Sequence, residues 1–239
     1  MKRVVLGAGL VIASLTGHAS AQAVGPWYFG QPYLRGDVGG AFSTNSSFRD
    51  VNPSASSALL GPGGRFKGNL GNSAFFDIGA GARLLPYWRW DATLTYIPSL
   101  KFSGGDTLGH GSAESANVDS LVGMLNGYLD LAGLAPYAFG MFQPYLDAGV
   151  GAASNHLATM DSSFGTGTIA GDTRTSFAWG MGAGVGYPIA PNTTLDVAYK
   201  YLDLGEMRTG TTDGAGAAIT PLKADLHTHT VTMGLRFGF

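Results

Sequence analysis

The 239-residue chain has no cysteine, only two glutamates (Glu114 and Glu206) and little charge of either sign: 14 Lys and Arg, 16 Asp and Glu, 13% of the residues. Without cysteine there is no disulfide framework, no thiolate nucleophile and no Cys-ligated metal, so stability rests on backbone pairing and packing. Beyond the N-terminal end, Gly, Asp, Asn, Ser or Thr interrupt every apolar stretch before it reaches the ~18 residues of a spanning helix. If such a chain enters a membrane, it does so as strands. Its charge is too sparse to coat an ordinary soluble domain. Its mildly acidic balance excludes the basic footprint of a nucleic-acid binder.

Glycine is abundant instead, at 38 residues, and aromatic residues make up 11%. The N-terminal end reads as a secretory signal: Lys2 and Arg3 precede an apolar run over 4–15, and Ala19-Ser20-Ala21 supplies a small-residue cleavage site. Cleavage is expected to remove residues 1–21 and to leave residues 22–239 as one domain. The loss of two cations and no acid moves the formal charge from -2 to -4.

A barrel strand faces lipid with one side chain and the lumen with the next, so the diagnostic pattern is period-two alternation over about ten residues. The last segment has it: Val231, Met233, Leu235, Phe237 and Phe239 share one face, and Thr230, Thr232, Gly234, Arg236 and Gly238 share the other. Segments 34–42, 74–85, 88–96, 145–152, 177–187 and 195–201 behave alike, with their charges on the non-greasy face. Segment 119–130 is the least regular, because Val122 and Met124 fall on its polar side. The count is eight, and single-chain bacterial barrels have even strand numbers. Connections alternate in length: 43–73, 98–117, 154–175 and 203–226 are long and polar, whereas Pro86-Tyr87 and 188–193 are tight turns. The link 131–143 is longer and apolar, and reads as an interfacial turn. The expected fold is all-β, an eight-stranded antiparallel up-and-down transmembrane barrel with both chain ends on the periplasmic side.

An eight-stranded barrel has an interior just wide enough for side chains to fill. Alternation places Arg35, Arg83, Arg89, Lys200 and Arg236 there, with Asp37, Asp77, Asp91, Asp130, Asp147 and Asp196. Five cations against six anions describe a structural ion-pair plug. A charge-lined selective pore is the sharper alternative. Trp88, Trp90, Trp179, Tyr96, Tyr187, Tyr199 and Tyr201 suit interfacial girdles. A glycine face over 180–186 makes room for bulky neighbours across the lumen.

The runs Tyr33-Leu34-Arg35-Gly36-Asp37-Val38-Gly39, Leu125-Asn126-Gly127-Tyr128-Leu129-Asp130 and Gln143-Pro144-Tyr145-Leu146-Asp147-Ala148-Gly149-Val150-Gly151 carry a resemblance. Phe177-Ala178-Trp179-Gly180-Met181-Gly182-Ala183-Gly184-Val185 and Tyr199-Lys200-Tyr201-Leu202-Asp203-Leu204-Gly205 extend it. Together, in this order and spacing, they resemble the small outer-membrane β-barrel surface antigens of alphaproteobacteria. That group includes the RopB-like and hemin-binding barrels and shares the fold of OmpA and OmpX. The resemblance implies a cell outer-membrane location. It also implies that the closing strand, ending in Phe237 and Phe239, is the signal read by the outer-membrane assembly machinery. The other expected partners are outer-membrane lipid and lipopolysaccharide. No nucleic acid, cofactor, metal or catalytic residue is expected.

Three functions follow from these readings. The first is a non-enzymatic barrel whose long surface loops serve envelope structure or surface interaction. The second is a small-solute channel or a heme or ligand uptake barrel, for which His227 and His229, two apart on one face, could offer a metal or heme ligand. The third is a lipid A-modifying enzyme using one of those histidines with a nearby Ser or Thr. His110 and His156 fall in separate long loops. A soluble lipocalin-like binder has the opposite polarity, apolar inside and polar outside.

Overall fold

The structure, a computed structural model, describes residues 30–107, 113–163 and 167–239; the signal segment 1–21 and His110 lie outside the described residues. Eight long strands alternate in direction: β1 (Gln31–Ser43), β2 (Asn72–Leu85), β3 (Trp88–Asp106), β4 (Ala113–Asp130), β5 (Gln143–Leu157), β6 (Asp172–Ala190), β7 (Thr193–Arg208) and β8 (Leu222–Gly238). Each pairs antiparallel with the next in sequence. Pairing of β8 with β1, from Tyr33 opposite Gly238 to Ser43 opposite Thr228, closes the ring. Phe239 lies one residue past β8, and its N–H still donates to the Pro32 carbonyl.

The strands run well into the segments that read as loops. Short strands Asn45–Asp50 and Phe66–Asn69 continue the β1–β2 register and pair with β8 and β3. Met160–Ser162 and Thr168–Ile169 likewise continue β5 and β6. The wall therefore rises past the greasy band as an extended barrel. The turn-rich end is compact: Leu131–Leu134 forms one helical turn, and Phe142 packs its ring 5.6 Å from that of Tyr187.

Side-chain polarity inverts along this wall. Within the band, outward residues such as Val38, Ile78, Leu125, Val150 and Met233 are exposed, and the lumen holds Asp37, Asp91, Arg89 and Asp147. Beyond the band the lumen holds Phe48, Phe66, Ile97, Leu100, Phe102, Leu157, Met160, Leu204, Met207 and Leu222, all fully buried in one apolar cluster. Their outward neighbours there include Arg49, Lys67, Lys101, Asn117 and Lys223. Lipid outside the lower wall selects apolar exteriors, whereas water around the upper wall selects the reverse and drives apolar groups inward.

The irregular alternation of β4 is this inversion seen in one strand. Its inward row runs Ala116, Val118, Ser120, Val122, Met124, Asn126, Tyr128, Asp130, and all eight are buried. Val122 and Met124 form the floor of the apolar core, and the charged half of the lumen begins below them. On β3 the same change coincides with a bulge between Ile97 and Leu100, where Ser99 adopts φ 51° and its N–H donates to Asp119. On β7 it coincides with a bulge at Asp203/Glu206 that contains Gly205 at φ 72°.

Phe102 packs edge-on against Phe48 at 4.9 Å inside the upper lumen, and Lys101 beside it faces water. Phe102→Ala is expected to cost about 3–5 kcal/mol, and Lys101→Ala to stay within about 0.5 kcal/mol, as read by urea unfolding from lipid vesicles. Equal costs would contradict an apolar core above the band.

Candidate functional site

The structure places all eleven ionisable residues, Arg35, Asp37, Asp77, Arg83, Arg89, Asp91, Asp130, Asp147, Asp196, Lys200 and Arg236, on the lumen side of the lower wall. Asp91, fully buried, accepts hydrogen bonds from Tyr33 at 3.1 Å, Tyr128 at 3.1 Å and Asn126 at 3.0 Å, and pairs with Arg35 at 3.4 Å. Arg35 also holds Asp37 at 2.8 Å. Lys200 bridges Asp147 at 2.6 Å and the side-chain oxygen of Asn126 at 3.1 Å, which joins β7 to β5 and β4 across the lumen.

Nearer the turn end, Asp130 lies between Arg89 at 3.0 Å and Arg83 at 3.1 Å. The Arg89 guanidinium sits over the rings of Tyr128 and Tyr145, at 4.1 and 4.5 Å, where ring quadrupoles favour a desolvated cation. Arg236 grips Asp196 through two nitrogens, at 3.0 and 3.4 Å. Asp77 stands apart from the pairs and accepts a hydrogen bond from Thr95 at 2.5 Å.

Tyr33, Tyr128, Tyr145 and Asn126 complete this network and are absent from the ionisable set. Their parity along the strands matches that of the charges, and that is the signal in the sequence that marks them. The glycine face of β6 leaves room for it: a Cβ at Gly184 would meet the Tyr145 ring, and one at Gly186 would meet Asp196 and Arg236.

The space left is small. A cavity of about 30 Å³ lies between the charged and apolar halves, lined by Asp77, Asn126 and Lys200 on one side and Phe75, Met124 and Leu202 on the other. It has room for about one water molecule. A vestibule of about 370 Å³ opens at the turn end and is lined by Tyr33, Arg83 and Arg236 of the network.

The two rim histidines face outward, away from the lumen. The Tyr199 hydroxyl and Nδ1 of His229 are 2.6 Å apart, and their rings stack. His227 stacks on Tyr201, and its Nδ1 lies 3.5 Å from Asp203, which also accepts a hydrogen bond from Trp179. Among the described residues neither histidine hydrogen-bonds a Ser or Thr side chain, so no hydrolytic pair is assembled. The four aromatic and imidazole rings on β7 and β8 form one belt at the outer edge of the greasy band. His156 bonds Thr173 on the outside of the wall, at 2.8 Å.

A family model described as an outer membrane protein beta-barrel domain matches residues 9–239. The chain is 30% identical over 144 residues to the outer membrane protein PagN of Salmonella typhimurium, covering 57% of this chain and 58% of that protein. It thus spans little more than half the length of that relative. It is 27% identical over 216 residues to a protein of Rickettsia conorii named as a candidate adhesin, with 87% of this chain and 82% of the relative covered. Among solved structures, the outer membrane protein OprG from Pseudomonas aeruginosa aligns with a TM-score of 0.57 at 14% identity, over 87% of this chain and 96% of that one. The outer membrane protease OmpT from Escherichia coli aligns at 0.50 and 10%, over 87% and 97%. Both likenesses concern the fold alone.

Removing one member of a buried pair leaves an uncompensated charge, whereas replacing both with apolar groups is often tolerated. Arg236→Leu is therefore expected to cost about 3–5 kcal/mol through the stranded Asp196, and Arg236→Leu with Asp196→Leu to cost less than the single change. A double-mutant cycle measured by urea unfolding in vesicles checks this, and simple additivity would contradict the pairing.

Proposed function

Because the chain belongs to the outer-membrane protein β-barrel domain family, we propose that it is a non-enzymatic surface protein whose filled barrel carries a rigid extracellular platform for adhesion. The observation that carries this reading is the order of the platform. Asp50 accepts hydrogen bonds from the backbone N–H groups of Leu59, Leu60 and Gly61, at 3.0, 2.8 and 2.9 Å, and so ties down the first loop. Asp213 does the same for the fourth loop through Ala215 and Ala217. The Thr220 N–H donates to the Ser57 carbonyl, and the two hydroxyls of these residues lie 3.0 Å apart, which docks the first loop on the fourth.

A surface ordered before contact loses less conformational entropy on binding. Supporting the rigid platform, the wall beneath it is packed with apolar side chains and, lower down, with ion pairs. That filling favours an anchor over a conduit, and the name of the Rickettsia relative, a candidate adhesin, favours surface contact over catalysis. OmpT is a protease, but its likeness at 10% identity brings no catalytic residue to this chain.

Displayed on a non-adherent bacterial host, the protein is expected to increase attachment to cultured epithelial cells. Asp50→Ala, which releases three backbone contacts of the first loop, is expected to reduce that attachment while leaving heat-modifiable gel migration unchanged. Attachment equal to that of the empty host would overturn the adhesive reading. Discrete conductance steps from the purified protein in planar bilayers would overturn the anchor as a complete account.

A further inference from the structure

The outer surface of the extended wall carries a row of cations at one height. Arg208, Lys223 and Arg49 are direct register partners on β7, β8 and the strand Asn45–Asp50. Their chain neighbours Met207, Leu222, Ala224 and Phe48 are buried in the core, so alternation turns all three outward. Adjacent strands lie ~4.8 Å apart, so the row spans roughly 10 Å. Arg174 approaches from β6, with its Nε 3.6 Å from Glu206. Glu206 also pairs with Arg208 and Lys223, and Asp225 lies 3.9 Å from Arg49. Four cations face two carboxylates in this patch among the described residues, leaving a surplus of positive charge.

The height of the row identifies what it meets. From Phe237 up to His227, the outward row of β8 covers about 25 Å along the barrel axis at ~40° tilt, which matches the apolar band and its girdles. Lys223 stands four residues beyond His227, about 10 Å higher at the same tilt. That is just outside hydrocarbon, where headgroups lie, and the flexible stems of Lys and Arg can cover the last few ångströms. The row also faces sideways from the wall, not up from the loop tips. The anions at that height and in that direction are headgroup phosphates of the outer leaflet.

We propose that Arg49, Arg208 and Lys223, flanked by Arg174, form a lateral clamp for the phosphate groups of an outer-leaflet glycolipid, a bisphosphorylated lipid A. Guanidinium groups recognise phosphate oxygens through paired charge-assisted hydrogen bonds, and Lys adds a mobile point charge. Glu206 orients the clamp. Partial burial alone would raise its pKa, but hydrogen bonds from Arg208 and Lys223 outweigh burial and hold it below the ordinary glutamate value. The carboxylate thus stays charged and fixes both cations.

The test uses the folded mature protein in zwitterionic micelles, with the temperature of the heat-modifiable transition as readout. Bisphosphorylated lipid A is expected to raise that temperature saturably and less so at high salt. Dephosphorylated lipid A and inorganic phosphate at equal concentration are expected to leave it unchanged. In the triple variant R49Q/R208Q/K223Q, affinity for bisphosphorylated lipid A is expected to fall roughly tenfold or more. An equal shift with dephosphorylated lipid A, an equal shift with inorganic phosphate, or undiminished binding by the triple variant would each overturn the clamp. If the triple variant does not fold, Asp225→Asn decides. Removing that carboxylate raises the local positive charge and is expected to tighten lipid A binding, and unchanged or weaker binding overturns the proposal.

Discussion

Hydrocarbon offers a backbone amide no partner, so strands that cross it must close into a ring with no free edge, and here the closing contact is the ladder between β1 and β8. Everything inside the ring follows from its size. Eight strands enclose a lumen that side chains fill, so residues on one face of each strand meet residues from strands across the barrel. Lys200 on β7 reaches Asp147 on β5 and Asn126 on β4, and Arg35 on β1 reaches Asp91 on β3. The glycines of β6 are the spatial counterpart of Tyr145, Asp196 and Arg236, which occupy the volume those glycines leave.

The same closed sheet passes through two media. Where lipid surrounds it, burying charge in the lumen is the only way to carry polar residues across, and pairing each charge limits the cost. Where water surrounds it, the lumen becomes an ordinary hydrophobic core. The change needs no break in the strands. On β4 the inward row keeps its parity and only its chemistry changes from polar to apolar, whereas bulges in β3 and β7 re-aim the side chains above them. Apolar side chains fill the upper wall, and above it Asp50, Asp213 and the Ser57–Thr220 contact hold the first and fourth loops through hydrogen bonds.

Polarity inversion also gives the outer surface its layers. A greasy band ends at the belt of Tyr199, Tyr201, His227 and His229, and the cation row of Arg49, Arg208 and Lys223 lies above it. The histidine pair, which in isolation suggests a metal ligand or a hydrolytic base, is occupied by ring stacking and by Tyr199 and Asp203. Its place at the interface matches the amphipathic character of imidazole and phenol, each with an apolar body and a polar tip.

Much of the band was legible from residue order. The row from Val231 to Phe237, the glycine face of β6 and the inward parity of Arg35, Asp91 and Arg236 all follow from period-two alternation, because lipid and lumen demand opposite side chains at every step. The upper barrel was not legible in that way. Residues 98–106 and 222–226 carry polar outward rows, so composition makes them look like loop, although Leu100, Phe102, Leu222 and Leu226 form a core inside. By itself the sequence determined which face each residue of the lower wall takes, since that depends only on local periodicity. Only the tertiary structure decided which charges pair across the lumen, where polarity inverts and which cations align in one row. Each of those depends on the register between strands, and register is set only when the ring closes.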